Sequence, residues 1–192
     1  MFHVKHLLNQ GLKNLNISPE DKKINYLNRY IEELLRWNEN INLISRCLTK
    51  EEIVNKLIIP SLIPHNILSP REKVLDFGAG AGIVGIPLAI ILPKLRIDLL
   101  ESKEKTIYFL RHIKNILSLD VEIIQKYVKQ PKELPRHFDA ILVRAVDPEK
   151  VPPGIGEKII YYGEYKGNKL KIKNTIEWKD WKVSILTTPT PS

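Results

Sequence analysis

Between Lys73 and Ile91 a short apolar run, Val74-Leu75-Asp76, gives way to a turn of alternate glycines, Asp76-Phe77-Gly78-Ala79-Gly80-Ala81-Gly82. A helical stretch follows from about Val84 to Ile91. No other feature narrows the possible folds as much. Glycine reaches positive φ without steric cost, so alternate glycines let the backbone curl tightly, and a bare Cα lets a ligand approach the main chain. Free N–H groups at the start of the following helix suit an anionic group. A strand, glycine turn and helix in this order belong to sheets in which strands alternate with helices and ligands sit beyond the carboxyl ends of the strands.

The alternation continues. Arg96–Glu101 (RIDLLE) reads as a strand, and Glu104–Leu117 as an amphipathic helix on Ile107, Leu110, Ile113, Ile116 and Leu117. Val121–Ile124 and Phe138–Val143 (FDAILV) read as the third and fourth strands, which predicts an α/β fold with a doubly wound, Rossmann-like, mostly parallel sheet. In the tail, Lys169–Lys173 alternates strictly and Trp181–Thr187 is rich in β-formers. With Asn174 between them as the turn, an antiparallel C-terminal hairpin is expected.

Upstream the chain reads as helices. Ser18-Pro19-Glu20-Asp21 is a start signal, with Ser18 as N-cap and Pro19 at the first helical position. Leu27, Ile31, Leu34 and Leu35 form the apolar face, with Arg29, Glu32, Glu33 and Arg36 opposite. Thr49 is expected to cap a second helix through Lys50, Glu51 and Glu52 to Ile59, before Pro60, Pro64 and Pro70 punctuate a linker. The division expected is a helical extension over 1–70, packed on a core domain over 71–192.

A chain of 192 residues, 43% apolar and 27% charged, buries a real core and is not of disordered composition. No apolar run approaches the roughly 20 residues that span a bilayer, and Leu7-Leu8 is too short for a signal-peptide core. The single cysteine, Cys47, forms no internal disulfide, and a cytoplasmic location without membrane attachment is expected. The net charge of +8 favours a polyanionic partner, and Lys166, Lys169, Lys171 and Lys173 make the densest basic stretch and the candidate RNA contact.

Gly80-Ala81-Gly82-Ile83-Val84-Gly85 also fits the dinucleotide fingerprint G-x-G-x-x-G, a weak match alone. Asp76 tilts the choice. A carboxylate at that strand end repels a pyrophosphate but favours the ammonium and sulfonium of S-adenosylmethionine, which carries no phosphate. Glu101, ending the next strand, is placed to accept both ribose hydroxyls of either cofactor. An NAD-dependent oxidoreductase stays open as an alternative, as does a purely turn-bracing role for Asp76.

Four segments then carry a family resemblance: Leu34–Ser45 (LLRWNENINLIS), Asp76–Ile90 (DFGAGAGIVGIPLAI), Leu99–Arg111 (LLESKEKTIYFLR) and Phe138–Ala145 (FDAILVRA). In order and spacing they resemble the RsmG (GidB) methyltransferases, which make 7-methylguanosine in small-subunit (16S) ribosomal RNA. The resemblance implies a Rossmann-like methyltransferase with S-adenosylmethionine as cofactor and ribosomal RNA, or the small subunit itself, as partner. It places Gly78 and Ile83 on the cofactor, beside the Asp76 assigned above on charge, with Gly80 and Gly82 shaping the turn. Glu101, Ser102 and Lys103 would line the ribose and adenosine, Val128 and Lys129 would flank the adenine, and Arg144 would reach the active-site mouth. The other reading of Arg144 is a surface ion pair with Asp147 or Glu149. Three departures stand out. Val84 replaces the family's turn proline, the R-H-I-x-D-S segment appears here as Asn55-Lys56-Leu57-Ile58-Ile59-Pro60-Ser61, and the region after Ala145 is short, with room for little or no helix before Tyr165-Lys166-Gly167. A non-catalytic RNA-binding protein that keeps the fold is therefore a second alternative.

Guanine N7 has a free lone pair and no proton, so its methylation needs positioning and no general base; no catalytic acid–base residue is expected. His3, His6, His65, His112 and His137 form no ligand spacing with Cys47, so no metal is expected. Cys47 reads as a small core residue, and Trp37 as core packing in register with Leu34. Asn38 and Asn42 share a face if their helix continues. The absence of coiled-coil heptads makes a monomer the default.

Overall fold

The computed structural model describes residues 2–187. Seven strands, β1 Lys73–Phe77, β2 Arg96–Glu101, β3 Val121–Gln125, β4 Phe138–Val143, β5 Gly156–Tyr162, β6 Lys171–Trp178 and β7 Trp181–Thr187, form one sheet in the order β3-β2-β1-β4-β5-β7-β6. Strands β1 to β5 are parallel, and β7 runs antiparallel to both β5 and β6. The expected α/β architecture holds, with its mostly parallel sheet, C-terminal hairpin and preceding helices. The strand order reverses between β1 and β4, and the glycine turn leaves β1 at that switch point, where open sheets of this kind form their ligand crevice.

Two tail details differ from the sequence reading. β5 was not expected as a strand. It opens on Gly156-Glu157-Lys158 and has only Ile159, Ile160, Tyr161 and Tyr162 as an apolar run, too short to separate a strand from a buried loop by periodicity. The hairpin turns at Lys179-Asp180 and not at Asn174, which lies inside β6 beside a register shift between Ile172 and Asn174. Lys179 takes the positive φ of 52° that the reversal requires.

The sheet's two faces are covered differently. On one, helices α1 Phe2–Asn14, α2 Asp21–Asn38, α5 Gly85–Ile91 and α6 Glu104–Ile116 share one apolar cluster with Val74, Ile97, Leu99, Ala140, Leu142 and Ile160 of the strands. On the other, Leu75, Leu100, Ile141, Val143 and Ile159 pack under Val128, Leu134, Val151, Ile155 and Tyr165, all from the connecting segments. The connection from β4 to β5 holds a single 3₁₀ turn, Pro148–Lys150, in keeping with the short region after Ala145.

α2 begins at Asp21 with Glu20 as N-cap, so Ser18 and Pro19 precede the helix and do not start it. α1 closes just before them: Asn16 takes a positive φ, Ile17 N–H donates to the Leu12 carbonyl at 2.9 Å, and the Ile17 side chain is buried. Glu33, expected in solvent, is 2% exposed because α6 packs over it. Its carboxylate is compensated by Arg29 at 2.9 Å, Arg36 at 2.5 Å and His112 at 2.9 Å. Trp37 packs edge-on against Phe109 at 5.7 Å, as its register implies. The helix then ends at Asn38, so Asn38 and Asn42 do not share a helical face. The Asn38 side chain instead accepts from the Leu43 and Ile44 N–H groups and shapes the following loop. Cys47 lies in that loop and is exposed, contrary to the core reading, because the helix that would have carried it inward has stopped.

Thr49 does cap the next helical run, with Glu52 completing a capping box. The run is not uniform: α3 Lys50–Glu52 passes into a π-helical stretch, Ile53–Ile58, and then into α4 Ile59–Ser61. Pro60, expected to end the helix, is inside it. Proline has no N–H, so the run lacks one backbone donor at this point. How that loss is made good bears on the site. Among the described residues no helix is long and apolar enough to cross a membrane.

Candidate functional site

The glycine turn adopts the conformation its composition demands. Gly78, Gly80 and Gly82 have φ of 73°, 54° and 75°, in the left-handed region. Their bare Cα atoms serve different ends. A Cβ at Gly82 would lie 2.6 Å from Ile86 Cγ1 and 3.0 Å from Leu110 Cδ2, so Gly82 lets the turn seat on the helical core. A Cβ at Gly78 would meet Val146 Cγ2 at 3.1 Å across the cleft, and one at Gly80 has nothing nearer than the Gly78 carbonyl at 4.0 Å. Gly85 permits close contact of α5 with β2, since a Cβ there would sit 2.4 Å from Leu99 Cδ2.

Two acids hold the turn. Glu101, at the end of β2, accepts the Gly80 N–H on Oε2 at 3.0 Å, and the Ser102 and Lys103 N–H groups on Oε1 at 2.7 and 2.9 Å. A carboxylate offers about four acceptor positions, so Oε2, with one bond, keeps capacity for hydroxyl donors. Asp76 is 3% exposed and accepts the Gly85 N–H at 2.8 Å, the bond of a turn-bracing residue. Burial pushes its carboxyl up to about 7 against the opposing pull of that hydrogen bond and of Arg144; Glu101 adds to the rise.

Beyond the turn lies a cleft of about 260 Å³ lined by Phe77, Gly78, Leu100, Glu101, Ser102, Lys126, Tyr127, Val128, Val146 and Lys150. Of the expected cofactor residues it unites Gly78, Glu101, Ser102 and Val128. The Lys103 N–H joins through Glu101, whereas Lys129 stands outside the lining with its N–H on Glu133. Ile83 is half-buried against the helical cluster, and Asp76 lies behind the turn.

Arg144, at the end of β4, takes neither expected partner. Its guanidinium donates to the Lys56 carbonyl at 2.7 Å and the Leu57 carbonyl at 3.0 Å, and it lies 5.2 Å over the Trp181 ring. Arg144 thus caps two carbonyls of the helical run just before Pro60, which brings no N–H of its own. Tyr162 completes the clamp by donating to the Ser61 carbonyl at 2.7 Å. Replacing Arg144 with Met should lower stability by about 2 kcal/mol and the thermal midpoint by about 4–8 °C, read by differential scanning calorimetry. Of the candidate RNA lysines, Lys166 pairs with Glu164 at 3.5 Å and Lys169 with Glu149 at 3.4 Å, while Lys171 and Lys173 lie on the edge strand β6, where lysine also discourages strand addition.

The sequence reading missed Tyr30 and Tyr127. Tyr30 is fully buried on α2 and donates to the Ala81 carbonyl at 2.8 Å, tying the N-terminal helices to the glycine turn. It sits in register with Leu27, Ile31 and Leu34, and a polar tip on that apolar face was the available signal. Tyr127 had none.

The family described as GidB, rRNA small subunit methyltransferase G, matches residues 23–184. A ribosomal RNA small subunit methyltransferase G of Caldanaerobacter subterraneus subsp. tengcongensis is 33% identical over 148 residues, 74% of this chain and 62% of its own length. One of Clostridium novyi is 35% identical over 147 residues, 73% of this chain and 60% of its own. The chain thus spans about three fifths of the length of the curated relatives it matches. Among solved structures, a SAM-dependent methyltransferase of Aquifex aeolicus aligns at TM-score 0.51 and 15% identity over 71% of this chain and 91% of that one, a likeness of fold.

Proposed function

Since this chain belongs to the rRNA small subunit methyltransferase G family, we propose that it binds S-adenosylmethionine at the glycine turn and methylates guanine N7 in small-subunit ribosomal RNA, as a monomer in the cytoplasm. The observation that carries this is the cradle made by Gly78, Gly80 and Glu101: main chain open to close approach, with a carboxylate at its base. The group fits these residues. Oε2 of Glu101 suits the ribose hydroxyls, and the apolar wall of Leu100 and Val128 suits a purine ring. In its ionised form, which gains ground as pH rises through about 7, Asp76 behind the turn favours a cationic ligand and disfavours a pyrophosphate.

When bound, the cofactor would supply an electrophilic methyl on a sulfonium, within reach of a guanine N7 lone pair held in line. No proton moves in the methyl transfer, so the chain's task is positioning and exclusion of water. Val146, opposite Gly78 and just beyond β4, sets the wall against which a base would be held. Calorimetry with S-adenosylmethionine and, separately, NAD tests the reading: binding of the first and not the second is expected, and the reverse would overturn it.

Asp76 gives a test with a sign. Its folded-state value lies above the unfolded 3.8, so the native state holds a proton that the unfolded chain has released. The stability this contributes is present below about pH 4 and is lost as pH rises towards 7. Asp76→Asn keeps an acceptor for Gly85 without the buried charge. It should match or exceed the parent's stability at pH 8, by up to about 3 kcal/mol, and bind the cationic cofactor more weakly. Urea unfolding at pH 5 and pH 8 checks this; an equal loss at both values contradicts it.

A further inference from the structure

Tyr127 is 72% exposed, more than any other large apolar or aromatic side chain among the described residues, and yet it belongs to the cleft lining. Its exposure is not that of a loose loop. On one side Lys126 is pinned, its N–H donating to the Glu101 carbonyl at 3.0 Å and its Nζ to the Glu133 carbonyl at 3.0 Å. On the other side the Val128 side chain is buried in the second apolar cluster, and the Lys129 N–H donates to Glu133 Oε2 at 2.9 Å. A backbone fixed on both sides of one aromatic residue presents that ring to solvent. The neighbouring charges are mostly cationic, with the Glu133 carboxylate turned to the Lys129 N–H. Lys129 Nζ lies 5.8 Å from the Tyr127 ring centroid, and Lys150, across the same cleft, has no ion-pair partner among the described residues. The one carboxylate in the lining, Glu101, is held by three backbone N–H groups at the base of the cleft.

We infer that Tyr127 is a stacking platform for an unpaired base of the RNA strand, with Lys150 and Lys129 holding the flanking phosphates. An aromatic face interleaved with cations is how proteins engage single-stranded RNA, since each base has a face to stack and each phosphate a charge to meet. Leu100 and Val128 line the cleft and would take the cofactor's adenine, which leaves most of the exposed Tyr127 ring for a ligand outside it. This site, and not the tail lysines, two of which are paired with glutamates, then carries the strand past the methyl donor. The inference rests on the RNA methyltransferase reading.

The test uses the full chain, a fragment of small-subunit ribosomal RNA and S-adenosylmethionine. Tyr127→Ala should raise KM for RNA about 10-fold, more than it changes the cofactor Kd, and Tyr127→Phe, which keeps the ring, should restore it. Lys150→Gln should flatten the dependence of log RNA affinity on log salt by about one phosphate's worth, roughly 0.7. An unchanged KM in Tyr127→Ala overturns the platform, and a cofactor Kd that rises as much as KM assigns the ring to the adenine wall instead. Should the parent protein neither bind RNA nor methylate it, both this inference and the functional reading fall. If the parent is active and the variant equals it, only the platform does.

Discussion

Gly78→Val is expected to weaken S-adenosylmethionine binding by about 100-fold or more, at a stability cost of about 2 kcal/mol. Two independent causes combine. At φ 73° a β-branched residue is strained wherever its side chain goes. The new Cβ would also lie 3.1 Å from Val146 Cγ2, filling the gap through which a ligand reaches the main chain. Gly80→Ala separates the two causes. Its Cβ meets no protein atom closer than 4.0 Å, so folding should suffer only the φ penalty of about 1 kcal/mol, while the methyl still intrudes on the cradle. Calorimetric titration with thermal melts distinguishes strain from obstruction. Near-parental affinity in Gly78→Val would place the cofactor elsewhere.

Glu101→Ala carries the second large effect. It leaves the Gly80, Ser102 and Lys103 N–H groups without their acceptor and takes the carboxylate from the base of the cleft. Glu101 is 9% exposed, so water replaces part of what is lost, and a destabilisation of about 2–3 kcal/mol is expected, or about 4–12 °C in thermal midpoint. The loss of cofactor affinity should again be about 100-fold, because the ribose acceptor and the anchor of the turn disappear together. Glu101→Gln retains one acceptor oxygen but aims an NH₂ at backbone donors, and should fall between Ala and the parent. An Ala variant that melts early but binds cofactor normally would reduce Glu101 to a brace.

Local patterns in the chain showed much of this arrangement. RIDLLE and FDAILV became β2 and β4 to the residue because each apolar run is bounded by charge. The glycine turn was legible because positive φ has few substitutes. What escaped depends on partners far along the chain. Arg144 caps the Lys56 carbonyl across 88 positions. Tyr30 and Ala81 meet across 51 positions, and the burial of Glu33 follows from where α6 lands. Asn174 is a good turn former overridden by sheet register, and β5 opens on residues that suit a loop as well as a strand. Long-range packing decided each of these, and no local window contains it.

The central claim is methyl transfer to guanine N7. Purified protein incubated with S-adenosylmethionine labelled on its methyl group, with either ribosomal RNA or small ribosomal subunits that lack the modification, followed by nucleoside analysis, tests it most directly. Label recovered as 7-methylguanosine, and absent with Gly78→Val, is the predicted result. Label on another nucleoside, or none from a protein that binds the cofactor, would contradict it.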